Sequence, residues 1–258
     1  MLIALRENNE DARAWLENKK SGPWFCPLCK ESLILRKGEI RVDHFAHRPN
    51  SDCDWGRGES EKHRQCKIEL YQSLVHIPAV SCIALERDLK TVRPDLSFLL
   101  HGQRVAIEVQ VSELSMEKIL HRTREYKKLD TAVLWLALID AEAIEGNVSP
   151  PLWQKWVHAL YFGRIYCWKP GYARLVRAAH LEPTEIEVPY SEWYSEGELH
   201  QGGGYTRRSK RWREICLGPL LDLSTDFGVS SRASFCGGRF EIPEARIFMD
   251  KSDRWWSR

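Results

Sequence analysis

Asp95, Glu108 and Gln110 are residues around which a reaction could be built. Val105, Ile107, Val109 and Val111 alternate with Ala106, Glu108 and Gln110. That period-2 pattern is a strand with two unlike faces, one carrying Glu108 and Gln110 together. Residues 96–100 read as the preceding strand and His101-Gly102-Gln103 as the reversing turn, so a hairpin would bring Asp95 close to Glu108. Two carboxylates held so close repel unless a cation lies between them, and hard oxygen donors suit Mg²⁺ or Mn²⁺. With Gln110 on the same face, the set could activate a water molecule.

A second constellation lies upstream. Cys26 and Cys29 have the two-residue spacing that points both sulfurs at one centre, and His44, His47 and Cys53 follow. Four ligands close a tetrahedron and five candidates are present. Cys26, Cys29, His47 and Cys53 are the favoured zinc set, with His44 as the alternate or as a supporting group. The other reading is a pair of buried thiols beside surface histidines. A structural zinc would stabilise a module whose own core is thin, and a closed four-ligand site leaves no position for catalysis.

The elements that must position these residues follow from periodicity. Residues 1–5 read as a short strand, with a capped helix starting near Asn9, Glu10 and Asp11. Residues 59–75 form a helix on which Glu61, Lys62, Gln65, Glu69 and Gln72 face water, while Cys66, Leu70, Tyr71 and Leu74 face the core. Glu59, His63 and Lys67 fall on the core stripe at i, i+4 and i+8. Either they end an amphipathic face, with Glu59 complementing the helix dipole, or they line a metal cleft. Glu86 is open between a further ligand and a surface partner of Arg87 or Lys90. Residues 115–129 form a helix capped by Ser112 or Ser115, with Arg122 and Tyr126 on one face, and residues 131–140 are a buried central strand. Residues 151–162 read as a short helix, and residues 163–168 and 172–178 as a hairpin that extends the sheet.

Arg93-Pro94-Asp95 with Glu108-Val109-Gln110 resembles the PD-(D/E)xK nuclease signature. Together with Glu59-Ser60-Glu61-Lys62-His63 and the Cys26/Cys29, His44-Phe45-Ala46-His47 element, the match is closest to the competence protein CoiA-like family. The resemblance implies an α/β fold with a restriction-endonuclease-like αβββαβ core, an N-terminal zinc-finger-like module and a C-terminal extension. It implies a metal-dependent deoxyribonuclease in which Asp95 and Glu108 bind Mg²⁺ or Mn²⁺ and Glu59 assists from the helix. The departure is Gln110, which stands where the signature has lysine and carries no charge. Lys67 is the candidate for the missing charge, and His63, Arg93, Arg122 and Tyr126 are candidates for holding substrate or the site.

At 258 residues and a net charge of +2, the chain has room for one sizeable core with small appendages, and any nucleic-acid surface must be local. No apolar run approaches the roughly 20 residues of a membrane span, and residues 1–8 lack a signal core. A cytoplasmic, reducing location is therefore expected, which favours metal over disulfides for the eight cysteines. The expected divisions are 1–58, 59–185 and 186–258. In the last, Arg207, Arg208, Lys210, Arg211 and Arg213, interleaved with Tyr205 and Trp212, form either a nucleic-acid contact or a solvated helix face. Trp255 and Trp256 are left open between the core and a partner. DNA is the expected partner, with recombination or DNA-uptake proteins beside it. The expected function is DNA cleavage in uptake, recombination or defence against foreign DNA; the alternative is a weak or inactive zinc-containing DNA-binding protein.

Overall fold

Long apolar side chains are sparse before residue 58, and five short strands share them. In the computed structural model, which describes residues 1–256 except Ile40, Asp54, Arg57, Gly238 and Arg239, these are β1 (Ile3–Leu5), β2 (Asp11–Arg13), β3 (Trp24–Phe25), β4 (Ser32–Arg36) and β5 (His44–His47). They form an antiparallel sheet in the order β2-β1-β3-β4-β5. No helix starts near Asn9. That residue sits at φ +64°, a turn conformation, and the chain after it pairs back on β1 with Ala12 opposite Ala4.

Trp24, Leu33, Leu35, Phe45 and Trp55 fill the small core of this module. Leu2 and Ile3 belong to the larger core instead, so the first strand is shared by both. Gly56, at φ +74°, permits the crossing: a Cβ there would sit 2.8 Å from the Met1 nitrogen.

The larger core is built on α1 (Glu61–Leu74), whose Ser60 cap accepts from the His63 N–H at 3.2 Å, and which buries Cys66, Lys67, Leu70, Tyr71 and Leu74. An antiparallel meander follows: β6 (Val80–Leu85), β7 (Leu96–Leu100) and β8 (Gln103–Gln110). Then come α2 (Met116–Lys128), capped by Ser115, and β9 (Ala132–Ala137), which lies parallel to β8 and is buried along its whole length. Burial on both faces is why β9 shows a continuous apolar run. The element order α1-β6-β7-β8-α2-β9 gives a mixed α/β unit.

Next come α3 (Leu152–Leu160), β10 (Ile165–Cys167) and β11 (Leu175–Val188). A hairpin of β12 (Ser191–Ser195) and β13 (Glu198–Gly202) precedes β14 (Tyr205–Asp222). Then follow β15 (Phe227–Arg232), the small pair β16 (Phe235–Gly237) and β17 (Phe240–Ile242), and β18 (Ala245–Asp250).

The position 185 division falls inside β11, and residues beyond it add β14, β15 and β18 to the same sheet. The basic run at 205–213 is strand, not a helix face: Arg207 pairs with Ile186 and Arg208 with Glu185, and a bulge interrupts the register before Arg213 meets Pro183. The tryptophans pack back, Trp255 against Gly218 and Trp256 stacked on His180 at 4.4 Å.

Candidate active site and metal centre

The two strands β7 and β8 meet where the chemistry is expected. Leu96 pairs with Ile107, which sets Asp95 beside the end of β8, and Asp95 Oδ2 accepts from the Val109 N–H at 2.9 Å. Glu59 precedes α1, and His63 and Lys67 follow at one-turn intervals on its inward face. His63 bridges two acids, with Nδ1 3.5 Å from Glu59 and Nε2 3.1 Å from Asp95. Lys67 Nζ contacts Glu59, lies 2.5 Å from Glu86 Oε1 and is 3.7 Å from Asp95 Oδ1. Glu59, His63, Lys67, Glu86, Arg93, Asp95, Gln110 and Arg122 line one cavity of about 420 Å³. The acids thus gather around a lysine ammonium.

Electrostatics explain why a 2 % exposed lysine stays charged. Burial opposes the ammonium, but Glu86, Glu59 and Asp95 outweigh it and raise the Lys67 pKa. Asp95 answers in kind: against the cost of burial, His63 and Lys67 hold its carboxyl well below the usual range. Burial likewise opposes a charged Glu59, but Lys67, the terminal amine and His63 bring it down to about 2.

Glu108 behaves differently. It is 1 % exposed and does not line the cavity. Tyr126 donates its hydroxyl to Glu108 Oε1, and Arg122 forms an ion pair with the same oxygen. Burial still pushes this carboxyl up to about 8, Arg122 opposing the rise and Asp95 adding repulsion. Tyr126 is fully buried, so it fixes Glu108 and presents nothing to the cavity, whereas Arg122 holds Glu108, lines the cavity and also donates to the Arg93 carbonyl at 2.8 Å. Gln110 turns its amide to the Ser112 carbonyl at 2.7 Å.

Glu86 is neither a surface partner of Arg87 nor of Lys90; Arg87 donates to the Cys82 carbonyl at 2.6 Å. Glu86 is buried, at φ +50°, and accepts from the Leu2 N–H at 3.2 Å and the Trp55 Nε1–H at 3.3 Å besides Lys67. Arg93 lies 3.5 Å above the Trp55 ring. Trp55 and the Leu2 backbone are cleft components that the sequence did not indicate. Their one signal was an isolated tryptophan between the last cysteine of the module and α1.

Cys26, Cys29, His47 and Cys53 place one ligand atom each within 4.8 Å of one another. The Cys26 and Cys53 sulfurs are 3.9 Å apart and Cys29 Sγ is 3.3 Å from His47 Nε2. A tetrahedron with Zn–S bonds of ~2.3 Å has edges of roughly 3.8 Å, so this Cys3His set could hold zinc. Partial desolvation and the neighbouring sulfurs push the Cys29 thiol up to about 12, a penalty that a bound cation reverses. His44 is outside the set: its Nδ1 lies 2.8 Å from the Val42 carbonyl, and burial with the charges of Arg64, the terminal amine and Arg36 lowers its pKa. Among the described residues the Cys3His set is the one such cluster of His, Cys, Asp or Glu.

Comparison with protein families places both sites. A model described as the N-terminal domain of competence protein CoiA matches residues 7–56, and one described as its nuclease-like domain matches residues 59–183. The chain belongs to the CoiA family. The Cys3His set lies within the first CoiA match and the cleft within the second, while β12–β18 lie outside both. The chain is similar to "Competence protein CoiA" of Bacillus subtilis (strain 168), 26 % identical over 175 residues, which cover 65 % of this chain and 46 % of that protein. It therefore spans about half the length of this curated CoiA relative. No solved structure matches. Among the described residues no helix is long and apolar enough to cross a membrane.

Proposed function

We propose that this CoiA family member is a Mg²⁺- or Mn²⁺-dependent DNA nuclease with a restriction-endonuclease-like core, hydrolysing phosphodiester bonds in DNA uptake, recombination or defence against foreign DNA. Lys67 carries the reading. A buried ammonium touches Glu59, Glu86 and Asp95 on the wall of an open cavity, in a chain whose motif lysine position is Gln110. A charge network that served stability alone would need no cavity, because a buried ion pair is at best a modest stabiliser.

Carboxylate oxygens are the donors a hard cation takes, although here they are paired with Lys67, His63 and Arg122 rather than gathered around one open point. Asp95 faces the cavity, Glu108 lies close enough to feel its repulsion, and Glu59, which also lines the cavity, is held by Lys67 and the terminal amine. Asp95 and Glu108 would hold the ion, with Glu59 assisting, and the bound ion would supply charge stabilisation and a more acidic water. The remaining roles fall to the chain's own groups. Lys67 orients Asp95 and Glu59 and sets a fixed positive charge toward the phosphate. His63 keeps Glu59 and Asp95 in register with each other. Arg93 and Arg122 offer guanidinium groups to phosphate oxygens at the cavity wall. Gln110 can position by its amide but cannot neutralise charge.

One arrangement favours a second reading, a weak or inactive zinc-containing DNA-binding protein. Glu108 is closed off by Tyr126 and Arg122, and Gln110 is engaged with Ser112. Incubation of the protein with linear and circular DNA in Mg²⁺ or Mn²⁺ separates the two. Cleavage that Asp95→Asn and Glu108→Gln each abolish supports the nuclease; binding with no cleavage in any divalent metal supports the second reading.

A further inference from the structure

A second cavity, of about 390 Å³, runs between the N-terminal module and α1. Arg36 from β4, Arg41, Arg48 from just after β5, and Arg64 from α1 all line it. No Asp or Glu does, among the described residues. Arg64 is already engaged, 3.1 Å from Glu61 and donating to the Glu59 carbonyl at 2.8 Å, which ties the wall of this groove to the start of the cleft. Arg36, Arg41 and Arg48 are exposed and make no ion pair among the described residues. The two cavities share Trp55 and Gly56 in their walls, so the arginine groove opens beside the candidate active site. His47 and Cys53 of the zinc set also line the groove, which places the metal centre behind it as a brace.

Three exposed guanidinium groups with no ion pair among the described residues line one groove, and several cations in one groove suit a chain of anions better than one ion. The neighbouring cleft balances Glu59, Glu86 and Asp95 with Lys67, Arg93 and Arg122, so its wall leaves little net charge to hold a polyanion beyond the cleft itself. We infer that the arginine groove is a phosphodiester-backbone track, by which the N-terminal module grips the nucleic-acid strand that leads away from the candidate active site. The inference rests on the nuclease reading for its direction, but binding in the groove does not require turnover. A zinc held by Cys26, Cys29, His47 and Cys53 would fix the turn before β4 and the end of β5, and with it Arg48, at the side of the groove.

The test is fluorescence anisotropy of the full-length protein with a labelled oligonucleotide, single- and double-stranded, over a range of salt in Ca²⁺. The variant Arg36→Gln/Arg41→Gln/Arg48→Gln is compared with Arg207→Gln/Arg208→Gln/Lys210→Gln/Arg211→Gln on the β11–β14 hairpin. Zinc content and far-UV circular dichroism check that both stay folded. Loss of three contacts is expected to weaken binding at least about tenfold at low salt and to lower the salt slope by roughly 2, whereas the hairpin variant keeps most of both. Unchanged affinity and slope in the groove variant overturns the track, as does absence of binding by the parent protein, or preference of the groove for acidic phospholipid vesicles over oligonucleotide. Cleavage assays on the same proteins separate the two proposals. Groove-dependent binding with no cleavage leaves the track standing and removes the nuclease; cleavage and binding indifferent to the groove do the reverse.

Discussion

Two buried charge clusters in this chain use the same kinds of residue to opposite ends. Around Asp250, Tyr166 donates to Oδ1 at 2.5 Å, Arg164 Nε lies 3.0 Å from the same oxygen, and the Ser252 N–H donates to Oδ2 at 3.1 Å. Arg164 also donates to the Ser252 carbonyl at 2.7 Å. Each carboxylate oxygen has donors, Asp250 is 3 % exposed, and none of these residues lines the cleft cavity. In the cleft, by contrast, Glu59, Glu86, Asp95 and Glu108 meet Lys67, Arg64, Arg122 and the terminal amine, four acids to four cations, and several of these groups line a cavity. Burial and strong pairing are common to both. The opening, with charged groups on its wall, is what distinguishes the cleft, and it points to function where buried ion pairs alone do not.

The comparison breaks most sharply under substitution. Asp95→Asn is expected to lower DNA cleavage by about 10³-fold or more, equivalent to ~4 kcal/mol of transition-state stabilisation, with a smaller loss of thermal stability than Asp250→Asn because Glu59 and Glu86 still pair with Lys67. Asp250→Asn is expected to do the opposite: it strands Arg164, costs about 3 kcal/mol or more, and leaves cleavage by the folded fraction intact. If Asp95→Asn unfolds the protein as badly as Asp250→Asn, the two clusters are alike and the cleft is structural.

Lys67→Met is expected to show both effects, since it removes a charge that lines the cavity and strands three acids, a loss on the order of 3–5 kcal/mol. Adding Glu86→Gln is expected to recover part of the denaturation midpoint but none of the cleavage. Recovery of cleavage in the double variant means that Lys67 acts only as a counter-charge.

Metal removal acts on a different region. Metal analysis is expected to find about one zinc per chain, and Cys26→Ser or chelation is expected to open residues 1–58 to proteolysis while β6–β9 stay protected. Equal loss of protection in both regions means that the two cores fold as one unit through β1.

The pH dependences carry opposite signs. Glu59 falls from 4.5 to about 2 on folding, so its contribution is complete above pH 4.5 and is lost as pH falls toward 2, on the order of 3 kcal/mol. Glu108 rises from 4.5 to about 8, so the proton it holds favours the fold below pH 4.5 and that contribution disappears as pH climbs through 8. Metal-supported cleavage, which needs this carboxyl ionised, is expected to increase up to pH about 8. Thermal melts and rates of the parent, Glu59→Gln and Glu108→Gln proteins check each slope. The smallest effect expected is Gln110→Lys, less than about tenfold in rate, because Lys67 already supplies the charge.

Residues 59–140 were legible because local patterns there are strong. The alternation of 103–110, the buried run of β9 and the inward stripe of α1 each follow from a single element's burial. Ligand identity in the Cys3His set was also legible, since the spacing of Cys26 and Cys29 is a local property. The strand at Asp11–Arg13 was not, because three residues carry no period and the left-handed Asn9 decides the turn. Nor was β14, whose Arg-rich register is imposed by β11 across the hairpin.

By itself, then, the sequence determined which side chains could take part and on which face of a strand or helix each would lie, because periodicity is written within a few consecutive residues. Only the tertiary structure decided that Lys67, rather than another acid, stands between Glu59, Glu86 and Asp95, and that Glu108 is held back by Tyr126 and Arg122. It alone brought Trp55 and the Leu2 backbone to Glu86 and set four arginines along one groove. The reason is that the energy of a charge depends on every partner within a few ångströms, and those partners come from segments up to 84 positions apart along the chain.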